Sequence, residues 1–165
     1  SAVCTLMMGD AIAIALMKAR NFDENDYART HPAGSLGARL LCRVGDIMRN
    51  GGKIAQVQED ALISDALFEL TRTGLGLVAV TDRGRRLRGV FSDGDLRRWL
   101  LKGGQISAAI VDAMTPMGFS LSPSQLASEA RAAFHERKIS AAPVLSEDNR
   151  VVGALAMHDI HDAGL

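Results

Sequence analysis

Two stretches of this chain are one unit written twice, 64 residues apart. Asp60-Ala61-Leu62-Ile63-Ser64-Asp65-Ala66 aligns with Ser124-Gln125-Leu126-Ala127-Ser128-Glu129-Ala130, and Leu77-Val78-Ala79-Val80 with Ala141-Ala142-Pro143-Val144. Gly89-Val90-Phe91-Ser92-Asp93-Gly94-Asp95-Leu96 then aligns with Gly153-Ala154-Leu155-Ala156-Met157-His158-Asp159-Ile160, with no gap between the three blocks. A duplicated supersecondary unit buries its apolar face against its copy. Two such copies are expected to pack about a pseudo-twofold axis, with clefts along that axis where a ligand would sit.

A chain of 165 residues, 47% hydrophobic, has the apolar surface for a real core. Its 19 basic and 19 acidic residues cancel, so no global field recruits nucleic acid or anionic lipid. Cys4 and Cys42 lie outside the repeat without metal-ligand spacing, and nothing resembles a secretory signal. A reducing cytoplasm, no disulfide and no metal are expected. The longest apolar run, Ala11 to Met17, falls short of the roughly 20 residues that span a bilayer, so the protein reads as soluble.

Residues 1–43 stand apart from the repeat. Ala2 to Arg20 predicts an apolar helix without a polar stripe, as expected of a helix enclosed by other structure. Two readings stay open: the helix packs on the repeats, or it belongs to a larger protein. The acidic pair Asp23-Glu24 predicts a second helix to Thr30, stopped by His31-Pro32-Ala33-Gly34.

The first repeat unit is read over residues 44–104 and the second over 105–165. The first opens at Val44-Gly45-Asp46-Ile47-Met48, with a strand near Ile54 to Val57 and a helix from about Asp65 to Thr73 capped by Ser64. Leu77 to Thr81 and Leu87 to Phe91 read as a hairpin about Asp82-Arg83-Gly84-Arg85. Asp93 to Lys102 reads as a helix with Leu96, Trp99 and Leu100 on its apolar face. The second unit repeats the order, with a strand near Phe119 to Leu121, a helix from Glu129 to Lys138, strands at Ala142 to Leu145 and Val151 to Leu155, and a final short helix. Each half is β-α-β-β-α, a mixed α/β (α+β) fold.

Ser92 and Asp95 stand where a strand passes into a helix. Ser-x-x-Asp is close to a capping box, in which serine and acid satisfy helix-start amides and bind nothing. The competing reading has the hydroxyl and free amides facing an anion at the positive helix end, while the carboxylate accepts from ribose hydroxyls. Ala156 replaces the serine in the second unit and only Asp159 is kept, so unequal sites are expected. Arg83, Arg85, Arg86 and Arg88 make a basic hairpin, followed by Arg97 and Arg98. It is either a solvated face, a phosphate or carboxylate trap, or a contact with another copy or domain. No aromatic platform accompanies it, which argues against nucleic acid. His135, His158 and His161 form no metal-ligand pattern. Met48, Met114 and Met157 read as core filler.

Two β-α-β-β-α units ending in Gly-hydrophobic-hydrophobic-(Ser/Thr)-x-x-Asp, with Asp46-Ile47-Met48, Asp112-Ala113-Met114-Thr115 and Ala142-Pro143-Val144 in order, resemble a tandem cystathionine-β-synthase (CBS) domain pair over about residues 44–164. The resemblance implies a regulatory module that binds adenosyl or other nucleotides between its halves. By match, Ser92, Asp95, Leu77, Ala79, Ala142 and Pro143 would contact the ligand, with His158 and Asp159 in the second cleft. Arg86 and Arg88 are candidates for a phosphate or carboxylate. Leu6-Met7-Met8-Gly9-Asp10-Ala11-Ile12-Ala13 and Thr30-His31-Pro32-Ala33-Gly34-Ser35-Leu36-Gly37 resemble the end of the sugar isomerase (SIS) domain of bacterial D-arabinose 5-phosphate isomerases. That likeness implies a piece of a longer enzyme serving synthesis of the lipopolysaccharide sugar Kdo. His31 would be catalytic only in the parent enzyme, because its partners come from the earlier part of that domain. No cofactor is required; the expected ligands are AMP, ATP or the end product CMP-Kdo. The expected partners are the rest of the SIS domain and further copies joined through the CBS pair. The alternative is an architectural self-association platform without a ligand.

Overall fold

A computed structural model describes residues 1–22, 26 and 41–165, in two units, Ser1–Leu41 and Cys42–Leu165. The predicted second helix and the His31 motif lie outside the described residues. In the first unit, helix α1 (Ala2–Ala19) is 18 residues of almost unbroken apolar sequence. It closes where Arg20 N–H donates to Leu16 O at 3.0 Å and Phe22 N–H to Met17 O at 2.9 Å. By length and composition alone, α1 is apolar enough to cross a membrane. The run Ala11–Met17 understates it, because Thr5, Asp10 and Lys18 are the only breaks longer side chains make in the helix.

The second unit contains both repeats. It runs through helix α2 (Val44–Ile47), β1 (Gln56–Gln58), α3 (Ile63–Thr73), β2 (Leu77–Thr81), β3 (Leu87–Ser92), α4 (Asp93–Leu101), β4 (Thr115–Pro116), α5 (Ala127–Arg137), β5 (Ala141–Leu145), β6 (Val151–Ala156) and α6 (Met157–Asp162). Strands β1-β2-β3-β4 form one sheet, with β1 and β2 parallel, and β5-β6 form a second, antiparallel one. The strand expected near Phe119–Leu121 shrinks to a single parallel bridge, Leu121 to Val144, equivalent to Val57 with Val80 in β1-β2.

Helix starts differ from expectation in one respect. Leu62, not Ser64, is the N-cap of α3: its N–H donates to Asp65 at 3.0 Å, as Leu126 N–H donates to Glu129 at 3.3 Å before α5. Both chains need a carboxylate three residues on, and Ser64 already lies inside the first turn. On α4, Leu96 and Trp99 pack against the core, whereas Leu100 is exposed.

The symmetry is visible in the backbone. Arg86 pairs with Arg150, its own repeat equivalent, flanked by Leu87 N–H to Asn149 O and Val151 N–H to Arg85 O, 3.1 and 3.0 Å. A residue that pairs with its own copy marks a twofold axis. Arg85 and Asn149, equivalent turn residues, share a left-handed backbone with φ of 62° and 61°.

The segments before each repeat change sides. Val44 N–H donates to Gln125 O, and Ile110 N–H donates to Ala61 O, both at 2.9 Å. Val44 is buried in the core with Phe134, Val144, Leu155 and Ile160, while Ile110 is buried with Ile63, Val78, Val80 and Phe91. The residues read as the head of the first unit therefore complete the core of the second repeat, and the stretch between repeats completes the first. Thr115–Pro116 pairs with Gly89–Val90, and Arg49 bridges Ala154 in the same way.

That crossing needs glycine at one point per repeat. A β-carbon on Gly89 would stand 2.7 Å from Met114 Sδ and 2.8 Å from the Thr115 carbonyl; on Gly153 it would meet Met48 Sδ and the Arg49 carbonyl. Because a carbonyl in a paired strand cannot give way, Gly89→Ala is expected to cost about 1–3 kcal/mol of stability, as overpacking does. Urea denaturation checks this, with exposed Gly52→Ala, which meets nothing, as the near-neutral control.

Candidate functional site

The approach of the two hairpins leaves a cleft on either side of the axis. The first, about 430 Å³, is lined by Leu77, Val90, Ser92, Asp95, Arg98, Thr115, Lys138, Ile139 and Ser140 among others. Ser92 caps α4, accepting from Asp95 N–H at 3.3 Å while its hydroxyl donates to Asp95 Oδ2 at 2.6 Å and its own N–H to the same oxygen at 2.9 Å. Thr115, brought in on β4, donates to Asp95 Oδ1 at 2.9 Å, and Arg98 donates to that oxygen at 2.6 Å. The capping box expected from Ser-x-x-Asp is therefore formed, and it forms one wall of the cleft.

Asp95 is 6% exposed. Burial alone would raise its carboxyl, but the bonds from Ser92, Thr115 and Arg98 outweigh this and hold it below the usual aspartate value. A group with a depressed folded pKa adds stability above its unfolded value and loses it as pH falls through the folded one. Asp95→Asn should thus lower stability at pH 7 by about 1–3 kcal/mol, the cost of mismatched buried partners. The gap between variant and parent should narrow below about pH 4, where unfolded aspartates protonate. Urea midpoints at pH 7 and pH 3 measure it.

The second cleft has the same backbone and different contents. Ala156 N–H donates to Asp159 at 2.9 Å, matching Ser92 and Asp95, but no hydroxyl is present. Arg49 stands where Thr115 stands in the first cleft: its Nε donates to both Asp159 oxygens at 3.0 and 3.1 Å, Nη1 to Thr73 O at 2.8 Å, and Nη2 to His158 Nε2. Two hollows result, both touching His158. One, about 650 Å³, reaches Gly76, Ser140 and Ala156; the other, about 500 Å³, reaches Arg49, Arg72 and Asp159.

Of the residues singled out in the sequence, Ser92, Asp95 and Leu77 meet in the first cleft, and His158 and Asp159 in the second. Ala79, Ala142 and Pro143 do not line either cleft; they are buried one layer below in the hairpins. Arg86 and Arg88 do not line them either. Arg86 sits on the axis, tied through its N–H to Asp82, and Arg88 pairs with Glu59 at 3.1 Å. The cations at the first cleft are Arg98 and Lys138. Thr115 and Arg49 were legible in part, because Asp46-Ile47-Met48-Arg49 and Asp112-Ala113-Met114-Thr115 are similar stretches whose last residues differ in kind, a cation against a hydroxyl.

The CBS domain family model matches residues 44–102 and 110–165. The chain belongs to the CBS domain family. The chain is similar over all of its 165 residues, at 51% identity, to the arabinose 5-phosphate isomerase GutQ of Salmonella typhi, of which it covers 51%. It spans about half the length of the curated relatives it matches. Among solved structures, CBSX2 in complex with AMP superimposes with a TM-score of 0.66 at 26% identity, over 74% of this chain and 96% of that one. The CBS pair of MJ0100, in complex with 5'-methylthioadenosine and S-adenosyl-L-methionine, has the same fold at 20% identity, with a TM-score of 0.66 over 74% of this chain and 94% of its own.

Proposed function

We propose that this CBS pair is the regulatory nucleotide-binding module of an arabinose 5-phosphate isomerase, the enzyme class that interconverts ribulose 5-phosphate and arabinose 5-phosphate. The likeness to the GutQ isomerase along the whole chain, α1 included, carries the assignment to that enzyme. On this reading α1 and His31 belong to the SIS domain, the sugar chemistry resides there, and the protein is cytoplasmic and assembles through its CBS pairs. The module itself binds and regulates without catalysing.

The first cleft is the ligand site on this reading. Leu77, Val90 and Ile139 offer an apolar wall for a base. Ser92 and Asp95 stand at the start of a nine-residue helix whose positive end favours an anion, with Arg98 and Lys138 at the rim. AMP or ATP fits these features, supported by the AMP complex of CBSX2. CMP-Kdo, the activated end product of the Kdo route, fits them as well, since its phosphate and sugar carboxylate match two rim cations. Feedback by that compound is the regulation proposed.

One observation favours a second reading, a platform without ligand: all the acceptor positions of Asp95 are filled from within the chain. A ribose must displace Arg98, which is 66% exposed and therefore free to swing out, or Thr115. Thermal denaturation with CMP-Kdo, CMP, AMP and ATP separates the two. A ligand at 100 times its Kd adds about 2.7 kcal/mol, and Ser92→Ala should weaken it about 2- to 10-fold, the worth of one net hydrogen bond. No stabilisation by any of the four leaves the platform.

A further inference from the structure

The two clefts are copies of one another, and a few side chains, Arg49 first among them, make them different. Gly89 and Gly153 establish which residues correspond, since Met114 and Thr115 lie against the first as Met48 and Arg49 lie against the second. Gly51 and Met117, two residues further on, share a left-handed backbone, φ 56° and 49°, so the correspondence extends along both segments. Arg49 is therefore the positional equivalent of Thr115, and His158 of Gly94.

In the first cleft, Ser140 and Gly76 line one continuous hollow with Ser92, Asp95 and Thr115. In the second, the equivalent surfaces fall into separate hollows: Gly76, Ser140 and Ala156 line one, and Asp159 lines the other. The partition is the Arg49 guanidinium meeting the His158 ring. All three of its nitrogens are engaged on this cleft: Nε with Asp159, Nη1 with the Thr73 carbonyl at the end of α3, and Nη2 with His158. Because an arginine has donors only, the His158 Nε2 accepts. Arg49 is also immobile at its root, where its N–H and carbonyl both pair with Ala154, at 2.8 and 3.0 Å.

We infer that Arg49 is an internal occupant of the second cleft: it takes the carboxylate of Asp159 that a ribose would use and, with His158, walls that carboxylate off from the rest of the cleft, so that the chain binds one nucleotide instead of two. The inference rests on the reading of the first cleft as a nucleotide site. Ala156 reinforces the effect, because without a serine hydroxyl Asp159 has no local side-chain donor from its own cap and takes a guanidinium instead.

The test copies the first cleft into the second. Equilibrium dialysis of the full chain against saturating labelled AMP should give about one nucleotide per chain, and Arg49→Thr with His158→Gly should give about two. Two nucleotides on the parent chain, or no gain in the double variant, overturns the inference. A parent chain that binds no AMP refutes the nucleotide reading of the first cleft, while a gain of one in the double variant still supports the role of Arg49. Should the double variant not fold, as judged by circular dichroism, the reverse exchange serves. Thr115→Arg with Gly94→His should abolish AMP binding with the melting transition retained, and undiminished binding there overturns the inference.

Discussion

The backbone pairing of Arg49 with Ala154, and of Val90 with Thr115, ties each repeat to the segment that precedes the other. Everything else in the CBS pair depends on it. Without residues 108–116 the first repeat loses Ile110 from its core and β4 from its sheet edge; without residues 42–49 the second loses Val44 and the Arg49 bridge to β6. Burying a valine or isoleucine side chain is worth about 1.5–3 kcal/mol, a large part of the net stability of a unit of this size. Neither repeat is thus a self-sufficient domain, and the two are expected to unfold together. The same crossing brings the polar residues to the clefts, because Thr115 and Arg49 ride on the exchanged segments.

The duplication, the order of elements and most strand limits were legible in the sequence, for a physical reason: each is set by local pattern. Leu77–Thr81 is buried at every position and reads as a run of four apolar residues closed by a threonine, and the Asp82 turn is held by its own carboxylate accepting from Gly84 and Arg86 N–H. The exchange was not legible. The offset between the preceding segments is 66 residues, two more than between the repeats, and which sheet edge a two-residue strand joins is a long-range choice that no periodicity encodes. The site was half legible on the same principle. Ser92 and Asp95 signal a helix start through spacing, whereas Leu77 lines the cleft and Ala79, Ala142 and Pro143 do not, a distinction that depends on where the partner repeat lies.

Both clefts solve one electrostatic problem, a carboxylate held at a helix start with little water. In the first, Asp95 is served by a hydroxyl, a threonine and a mostly exposed arginine from its own helix. In the second, Asp159 is served by a guanidinium 18% exposed and anchored at two further points, the Thr73 carbonyl and His158. Removing one partner from a pair of the second kind strands a poorly solvated charge, which is costly. Swinging Arg98 into solvent strands none, because Ser92 and Thr115 still serve the carboxylate. A ligand that offers its own hydroxyls can therefore replace Arg98 at small cost and cannot cheaply replace Arg49.

That difference bears on how such a module regulates. A ligand shifts an equilibrium only by its differential affinity for two states, and coupling of a few kcal/mol is typical. With two equal sites, occupancy could stiffen the pair symmetrically and leave the axis unmoved. On the proposed reading, with one adaptable cleft and one whose carboxylate is held by Arg49, filling the first would change the contacts of Asp95, Arg98 and Thr115 while leaving those of Asp159 as they are. On that reading the segment bearing Thr115 would respond while the segment bearing Arg49 keeps its contacts, and the latter runs back through Val44 to Cys42, where this unit begins. One binding event would then act on one side of the axis only, which two filled clefts would not.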